Sequence, residues 1–131
     1  MRILAVDHGR ARAGCAVCDP SGTIVTPLAV VEPPEPVRVA ALAIEQGAEL
    51  IVLGLPVSLD GTEGEQAAAV HGFAVELAKA TELPIETYDE RLTTRLAEAS
   101  ARSGARAPAD ALAAAHLLES YLQAKMARPS T

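Results

Sequence analysis

Arg2-Ile3-Leu4-Ala5-Val6-Asp7 opens the chain. Its apolar core runs without polar alternation, the pattern of a strand covered on both faces, so it reads as a central strand that delivers Asp7 at its carboxyl end. Gly9 and Gly14 bracket a tight turn after it. Cys15-Ala16-Val17-Cys18 and Thr23-Ile24-Val25 read as the next two strands, separated by the turn Asp19-Pro20-Ser21-Gly22. Together these make a three-strand antiparallel meander.

Glu32-Pro33-Pro34-Glu35-Pro36 closes the meander and starts a helix through about Gly47, with Val37, Ala40, Ala41 and Ile44 at helical spacing. Leu50-Ile51-Val52-Leu53-Gly54-Leu55 is a second continuous apolar strand. The polar loop Pro56 to Gly64 leads into another helix, whose buried stripe is Ala67, Val70, Phe73, Ala74, Leu77 and Ala78. A short strand at Ile85-Glu86-Thr87-Tyr88 precedes Asp89-Glu90-Arg91-Leu92-Thr93-Thr94. A helix is expected from Arg95 to about Ser103, stopped by Gly104, and a last one from Pro108 to about Lys125. The order β-β-β-α-β-α-β-α-α predicts an α/β fold: a mixed five-stranded sheet, meander plus parallel strands, with helices on both faces. The 131 residues fit one domain over 1–127, with 128–131 a frayed tail.

Half of the residues are apolar, but no apolar run is long enough to span a bilayer. The amino terminus lacks a secretory apolar region, so a soluble cytoplasmic protein is expected. Cys15 and Cys18 form a C-x-x-C, yet residues three apart on a strand point to opposite faces and no second Cys/His pair completes a zinc site. Buried thiols are the expectation. The net charge of −6 argues against a protein that coats nucleic acid in general. It leaves room for a site that needs clustered carboxylates with local arginines.

Three acidic places stand out: Asp7 and Asp89-Glu90 at strand ends, and Asp110 in the first turn of the last helix. Each has an ordinary alternative, as a turn residue or as a helix-start acid. Asp110 is the most informative, because Ala114, Leu117, Leu118 and Tyr121 follow at +4, +7, +8 and +11 and place it on the core-facing side. An inward carboxylate needs a cation, a proton or donors. Convergence of Asp7, Glu90 and Asp110 would gather like charges that Mg²⁺ or Mn²⁺ resolves, as in phosphodiester hydrolysis.

The motifs that carry these acids resemble one family in order. Leu4 to Gly14 is similar to the opening D-x-G-x-x-R-x-G of the YqgF/RuvX family, and Val52-Leu53-Gly54-Leu55-Pro56 through Asp60-Gly61-Thr62-Glu63 resembles its second motif. Asp89 to Thr94 resembles its D-E-R-L-[ST]-[ST] signature, and Asp110 with Ala113-Ala114 and Leu117 to Leu122 its closing helix. The resemblance implies an RNase H-like fold and a divalent-metal nuclease acting at the 5′ end of pre-16S rRNA, or on branched DNA such as a Holliday junction, as a monomer or homodimer. Carried over by position, Asp7, Glu90 and Asp110 are the catalytic metal ligands, with Asp89, Asp60 or Glu63 as replacements for Glu90. Arg12, Arg91 and Thr93 would contact nucleic acid. The segment Ser103 to Ala109 carries less positive charge than is common in the family, which would weaken or relocate substrate grip. His8 stands where the family more often has an apolar or aromatic residue, and a packing role is favoured over proton transfer; His71 and His116 show no ligand spacing. Two alternatives compete. One is a non-catalytic RNA-binding assembly factor; the other, from Asp7-x-Gly9, is an ATPase of the actin/Hsp70/sugar-kinase type, for which the chain is too short.

Overall fold

The computed structural model describes residues 1–58, 60–92 and 108–127. The sheet is built on β1 (Ile3–His8), with β2 (Ala13–Cys18) and β3 (Val25–Val31) to one side and β4 (Leu50–Leu55) and β5 (Ile85–Asp89) to the other, in the order β3-β2-β1-β4-β5. β1 is antiparallel to β2 and parallel to β4, and β5 is parallel to β4. Leu4, Ala5 and Val6 are fully buried, as a strand sealed on both sides requires.

One face of the sheet carries α1 (Pro36–Glu45) and α2 (Glu65–Ala80). There Leu4, Val6, Cys15, Ile51 and Leu53 pack against Val39, Ala43, Val70, Phe73 and Leu77. The other face is covered by α3 (Ala109–Ala127), whose Leu117, Leu118 and Tyr121 meet Ile3, Ala5, Cys18, Leu50 and Val52. Ala114 and Ala115 of α3 sit on Ala16 of β2. These are small residues on both sides, so the helix lies close to the strand. Cys15 and Cys18 belong to opposite cores and are both free thiols; burial pushes Cys15 up to about 12. No helix among the described residues is long and apolar enough to cross a membrane.

The meander differs from expectation in its third strand. Asp19 accepts hydrogen bonds from the backbone N–H groups of Thr23 and Ile24 at 2.8 and 2.9 Å, which keeps both in the turn. The strand therefore begins at Val25, two residues late, and runs on to Val31. It tolerates Pro27 because it is the sheet's edge and the pairing shifts register at Cys15/Ala16. β2 likewise begins at Ala13 rather than Cys15. On α1 the buried stripe is Val39, Ala40 and Ala43, whereas Val37 and Ile44 are exposed. Of the four expected positions Ala40 is buried and Val37, Ala41 and Ile44 are not, because both sides of the helix carry apolar residues. The helix expected from Arg95 to Ser103, and the tail 128–131, lie outside the described residues.

Gly14 is the tightest point of the packing. A Cβ there would overlap the backbone carbonyl of Asp110 and crowd the N–H of Ala111. Gly14→Ala is expected to push the start of α3 off β2, at an overpacking cost of about 1–3 kcal/mol, visible as a lower melting temperature. Gly72→Ala, in open space inside α2, should instead stabilise by roughly 0.5–1 kcal/mol. A Gly14→Ala protein that melts like the parent would refute the close approach.

Candidate active site

Alternation along β1 puts Asp7 on the α3 face with Ile3 and Ala5. Its register partner on β2 is Gly14. Because Gly14 has no side chain, the first turn of α3 reaches the sheet there and brings Asp110 next to Asp7. On the other flank, Gly54 of β4 leaves the space that Glu90 fills; a Cβ on residue 54 would lie 2.7 Å from Glu90 Oε1. Glu90 follows β5 in a single 3-10 turn, Glu90–Leu92. Two missing side chains thus shape the recess in which the acids meet.

The acids Asp7 and Glu90 are hydrogen-bonded to each other, which requires a proton between them. Burial pushes Asp7 above its ordinary value, and the charge of Asp110 adds to the rise; the hydrogen bond from Glu90 and the proximity of His8 work the other way. Glu90 rises to about 7, through burial first, then the charge of Asp7, the proton it donates to Asp7 and the charge of Asp89. Burial and mutual repulsion therefore make the pair hold protons more tightly than free carboxyl groups do. Asp110 is linked to Arg12, whose Nη1 lies 3.5 Å from Asp110 Oδ2 while its Nε meets Glu32 at 3.0 Å. Both pairs are about half exposed and are worth only about 0–1 kcal/mol.

The other sequence candidates are placed differently. Asp89 points away from Asp7 and grips Arg91, with Nη2 at 2.6 Å and Nε at 2.9 Å from Oδ2. These bonds hold Asp89 below the usual carboxylate range and raise Arg91, so the Arg91 fork is already occupied. Asp60 accepts from the N–H and hydroxyl of Thr62 at 3.0 and 2.7 Å within its own loop. Glu63 pairs with His71 at 2.7 Å. None of these three joins Asp7, which leaves Glu90 as its carboxylate neighbour from this part of the chain. His8 packs its ring on Phe73, centroids 4.5 Å apart, on the face opposite Asp7, so the packing role holds. Thr93 and the basic Arg95, Arg102 and Arg106 lie outside the described residues.

A cavity of about 240 Å³ opens over the acids, lined by Asp7, Glu90, Ala113, His116 and Leu117. On the other side of Glu90 a second recess of about 440 Å³ continues along Pro56, Ser58, Glu65, Gln66 and Arg91. Glu90 stands between the two. His116 is the lining residue that sequence reasoning passed over. A search for ligand pairs among histidines gives it no signal, but its position three after Ala113, on the strip of α3 beside Leu117, does.

The donors are hard carboxylate oxygens, the set that suits Mg²⁺ or Mn²⁺. A proton on this pair would relieve the same repulsion that a bound cation relieves. Among the described residues no three His, Cys, Asp or Glu side chains are gathered closely enough to hold a metal as they stand: Asp7 and Glu90 are in contact, and Asp110 is coupled to Asp7 through charge while it faces Arg12.

Comparison with known proteins identifies the family and the fold. A protein of Chloroflexus aurantiacus named "Putative pre-16S rRNA nuclease" is 37% identical over 138 residues, covering 98% of this chain and 90% of its own. One of the same name from Crocosphaera subtropica is 40% identical, with 95% and 94% covered. Thermus thermophilus RuvC, solved in complex with a Holliday junction substrate, superposes with a TM-score of 0.64 over 99% of both chains at 19% identity, which shows the RNase H-like fold. The family model described as "RuvX: Holliday junction resolvase" matches residues 1–124, and the chain belongs to that family.

Proposed function

We propose that this chain is a divalent-metal-dependent nuclease that hydrolyses phosphodiester bonds in pre-16S rRNA in the cytoplasm. The observation that carries the reading is geometric: Asp7 at the carboxyl end of the central strand and Glu90 after β5 line one cavity, and the first turn of α3 sets Asp110 against Gly14, the register partner of Asp7. Carboxylates are gathered against their own repulsion where a cation is to be held. The relatives' name favours pre-16S rRNA as substrate. Branched DNA is the second reading, favoured by the family's description.

Asp7, Glu90 and Asp110 would hold the metal. When bound, a divalent cation supplies an activated water and stabilisation of the leaving oxygen. Because burial and repulsion raise both Asp7 and Glu90, a cation held by them would compete with protons for the pair. Arg12 steadies Asp110 and, being half exposed, lies within reach of a phosphate at the rim. Cleavage of structured RNA, single strands and four-way DNA junctions, each with Mg²⁺ and Mn²⁺, tests the proposal. No cleavage of any of them by folded protein would end it.

Asp7→Asn is expected to abolish cleavage with the fold intact, since it removes a ligand charge at nearly constant shape. It should also raise the metal-free melting temperature at mildly alkaline pH by relieving repulsion. Wild-type turnover in the folded variant would contradict this.

The metal-free protein should lose stability as pH rises. Glu90 has a folded value of about 7 against an ordinary 4.5, so the folded state binds the proton more tightly than the unfolded chain. Its favourable contribution is complete below about 4.5 and is lost as pH climbs through about 7. Melting curves across that window should fall for the parent and flatten for Glu90→Gln. Saturating Mn²⁺ should reverse the trend.

Arg12→Ala should weaken nucleic-acid binding and make its salt dependence shallower, by roughly one unit of slope or less. Unchanged affinity and slope would leave Arg12 as a partner of Glu32 and Asp110 alone.

A further inference from the structure

Of the three acids, Glu90 has the least support from packing. It follows β5 in the 3-10 turn Glu90–Leu92, none of whose residues is buried, and Leu92 is 55% exposed. Asp7, by contrast, belongs to a strand paired on both sides, and Asp110 to a helix whose start is pressed against Gly14. What fixes the turn is polar. Near its start, Asp89 Oδ1 accepts from the N–H of Arg91 at 2.9 Å. At its end, the hydroxyl of Ser120 on α3 donates to the carbonyl of Leu92 at 2.8 Å.

Ser120 is itself buried, 3% exposed, beside the buried Leu117, Leu118 and Tyr121. A serine inside a helix commonly turns its proton back onto the carbonyl four residues earlier; here the proton goes to a different element. A hydroxyl has one proton and a carbonyl only accepts, so in the second bond of Ser120 Oγ, at 3.0 Å, the donor is the Tyr88 hydroxyl. The Ser120 carbonyl, 3.4 Å from that hydroxyl, is the poorer acceptor. Tyr88 is seated in turn, its ring packed on the Leu117, Leu118 and Tyr121 cluster and edge-on to Tyr121 with centroids 5.5 Å apart. The chain of bonds from Tyr88 through Ser120 to Leu92 therefore brackets Glu90, beginning before it and ending after it.

We propose that Ser120 is a positioning residue for Glu90: its hydroxyl, ordered by Tyr88, latches the 3-10 turn to α3 and so fixes Glu90 relative to the acid that opens the same helix. This rests on the reading of Asp7, Glu90 and Asp110 as the acids that hold the metal, and adds the residue that keeps Glu90 among them. Asp110 and Ser120 lie about 15 Å apart along one helix, so the latch and the third acid are referred to a single rigid rod. Ser120 acts through the backbone of Leu92 and touches neither metal nor substrate.

The test is Mn²⁺ binding to the full chain, by calorimetry, in the parent and in Ser120→Ala, Ser120→Cys, Tyr88→Phe and Val70→Ala. Ala removes the hydroxyl, and Cys nearly keeps its shape while offering only a weak donor. Val70→Ala thins the core on the opposite face of the sheet and measures the effect of lost stability alone. The latch predicts Mn²⁺ affinity weaker by roughly threefold to tenfold in both Ser120 proteins, the worth of about one hydrogen bond. Tyr88→Phe should lose less, and Val70→Ala nothing, despite its lower melting temperature. Adding Tyr88→Phe to Ser120→Ala should cost little more than Ser120→Ala by itself, because both act through one chain of bonds. Cleavage at limiting Mn²⁺ should slow in the Ser120 proteins and recover at saturating Mn²⁺, with KM for an RNA hairpin unchanged. Parent-like Mn²⁺ affinity in the Ser120 proteins overturns the latch and leaves the nuclease reading standing. An equal loss in Val70→Ala also overturns it, since the effect would then be one of stability. If Ser120→Ala does not fold, Ser120→Cys and Tyr88→Phe decide by the same criterion. A parent protein that binds no Mn²⁺ sinks the metal reading itself, and the latch with it.

Discussion

The backbone of Asp110 occupies the volume that any side chain on residue 14 would need. Because β2 carries glycine at that point, opposite Asp7 in the antiparallel register, the first turn of α3 touches the sheet instead of riding above it. The alanines that follow, Ala111, Ala114 and Ala115, keep the helix down along β2. Gly54 repeats the device one strand beyond β1, where its empty space is filled by the side chain of Glu90. Leu117 also presses on that space, its Cδ2 only 3.1 Å from where a Cβ would stand. The recess is thus set by backbone and by well-packed aliphatic carbon, both of which resist displacement. The acids are held in register by contacts that are themselves electrically neutral.

That rigidity is what allows an unfavourable electrostatic arrangement to persist. Asp7 and Glu90 are each raised chiefly by burial, and each charge raises the other or is raised by a neighbouring acid. The folded state is therefore penalised whenever both groups ionise, and the penalty is relieved by a proton or by a cation. Stability given up at such a place is characteristic of functional sites. The surrounding ion pairs do little to offset it: Arg12 is shared between Glu32 and Asp110, and Arg10 meets Glu65 at the exposed rim. Surface pairs of this kind are weak and screened by salt.

Much of the architecture was legible because the two apolar runs at β1 and β4 have no second interpretation at their length, and because the α2 stripe of Ala67, Val70, Phe73 and Leu77 repeats at one helical angle. The buried stripe of α3 was readable from the same periodicity, since Ala114, Leu118 and Tyr121 are buried, although Asp110 at its start keeps a side chain 41% exposed. What failed did so for local reasons. The start of β3 was set by the Asp19 carboxylate taking two backbone N–H groups, a side-chain event that β-propensity at Thr23 and Ile24 opposes. The face of α1 was ambiguous because Val37 and Ile44 are as apolar as Val39 and Ala43. Arg91, which reads as a phosphate ligand from its place in a motif, has its guanidinium fork on Asp89, two residues before it, a pairing that motif position alone does not reveal. His116 was passed over because it has no partner in sequence; its significance lies in a cavity assembled from three separate elements.

The location of the site follows from the sheet's topology. β1 has an antiparallel neighbour on one side and a parallel one on the other, so the chain leaves β1 toward β2 by a short turn and later returns to β4 on the opposite flank. In open α/β sheets such a reversal of strand order leaves a crevice at the carboxyl ends of the strands. Here that edge gathers the ends of β1, β4 and β5 and the beginning of β2, bringing Asp7, Gly54, Glu90 and Gly14 together although they span most of the described chain. α3 begins at the same edge, with Asp110 in its first turn. The sheet side supplies Asp7 and Glu90, and the helix supplies the third acid. His116 stands farther along the same helix, on the strip that borders the cavity, so a single element brings both the third acid to the sheet edge and one wall of the cavity.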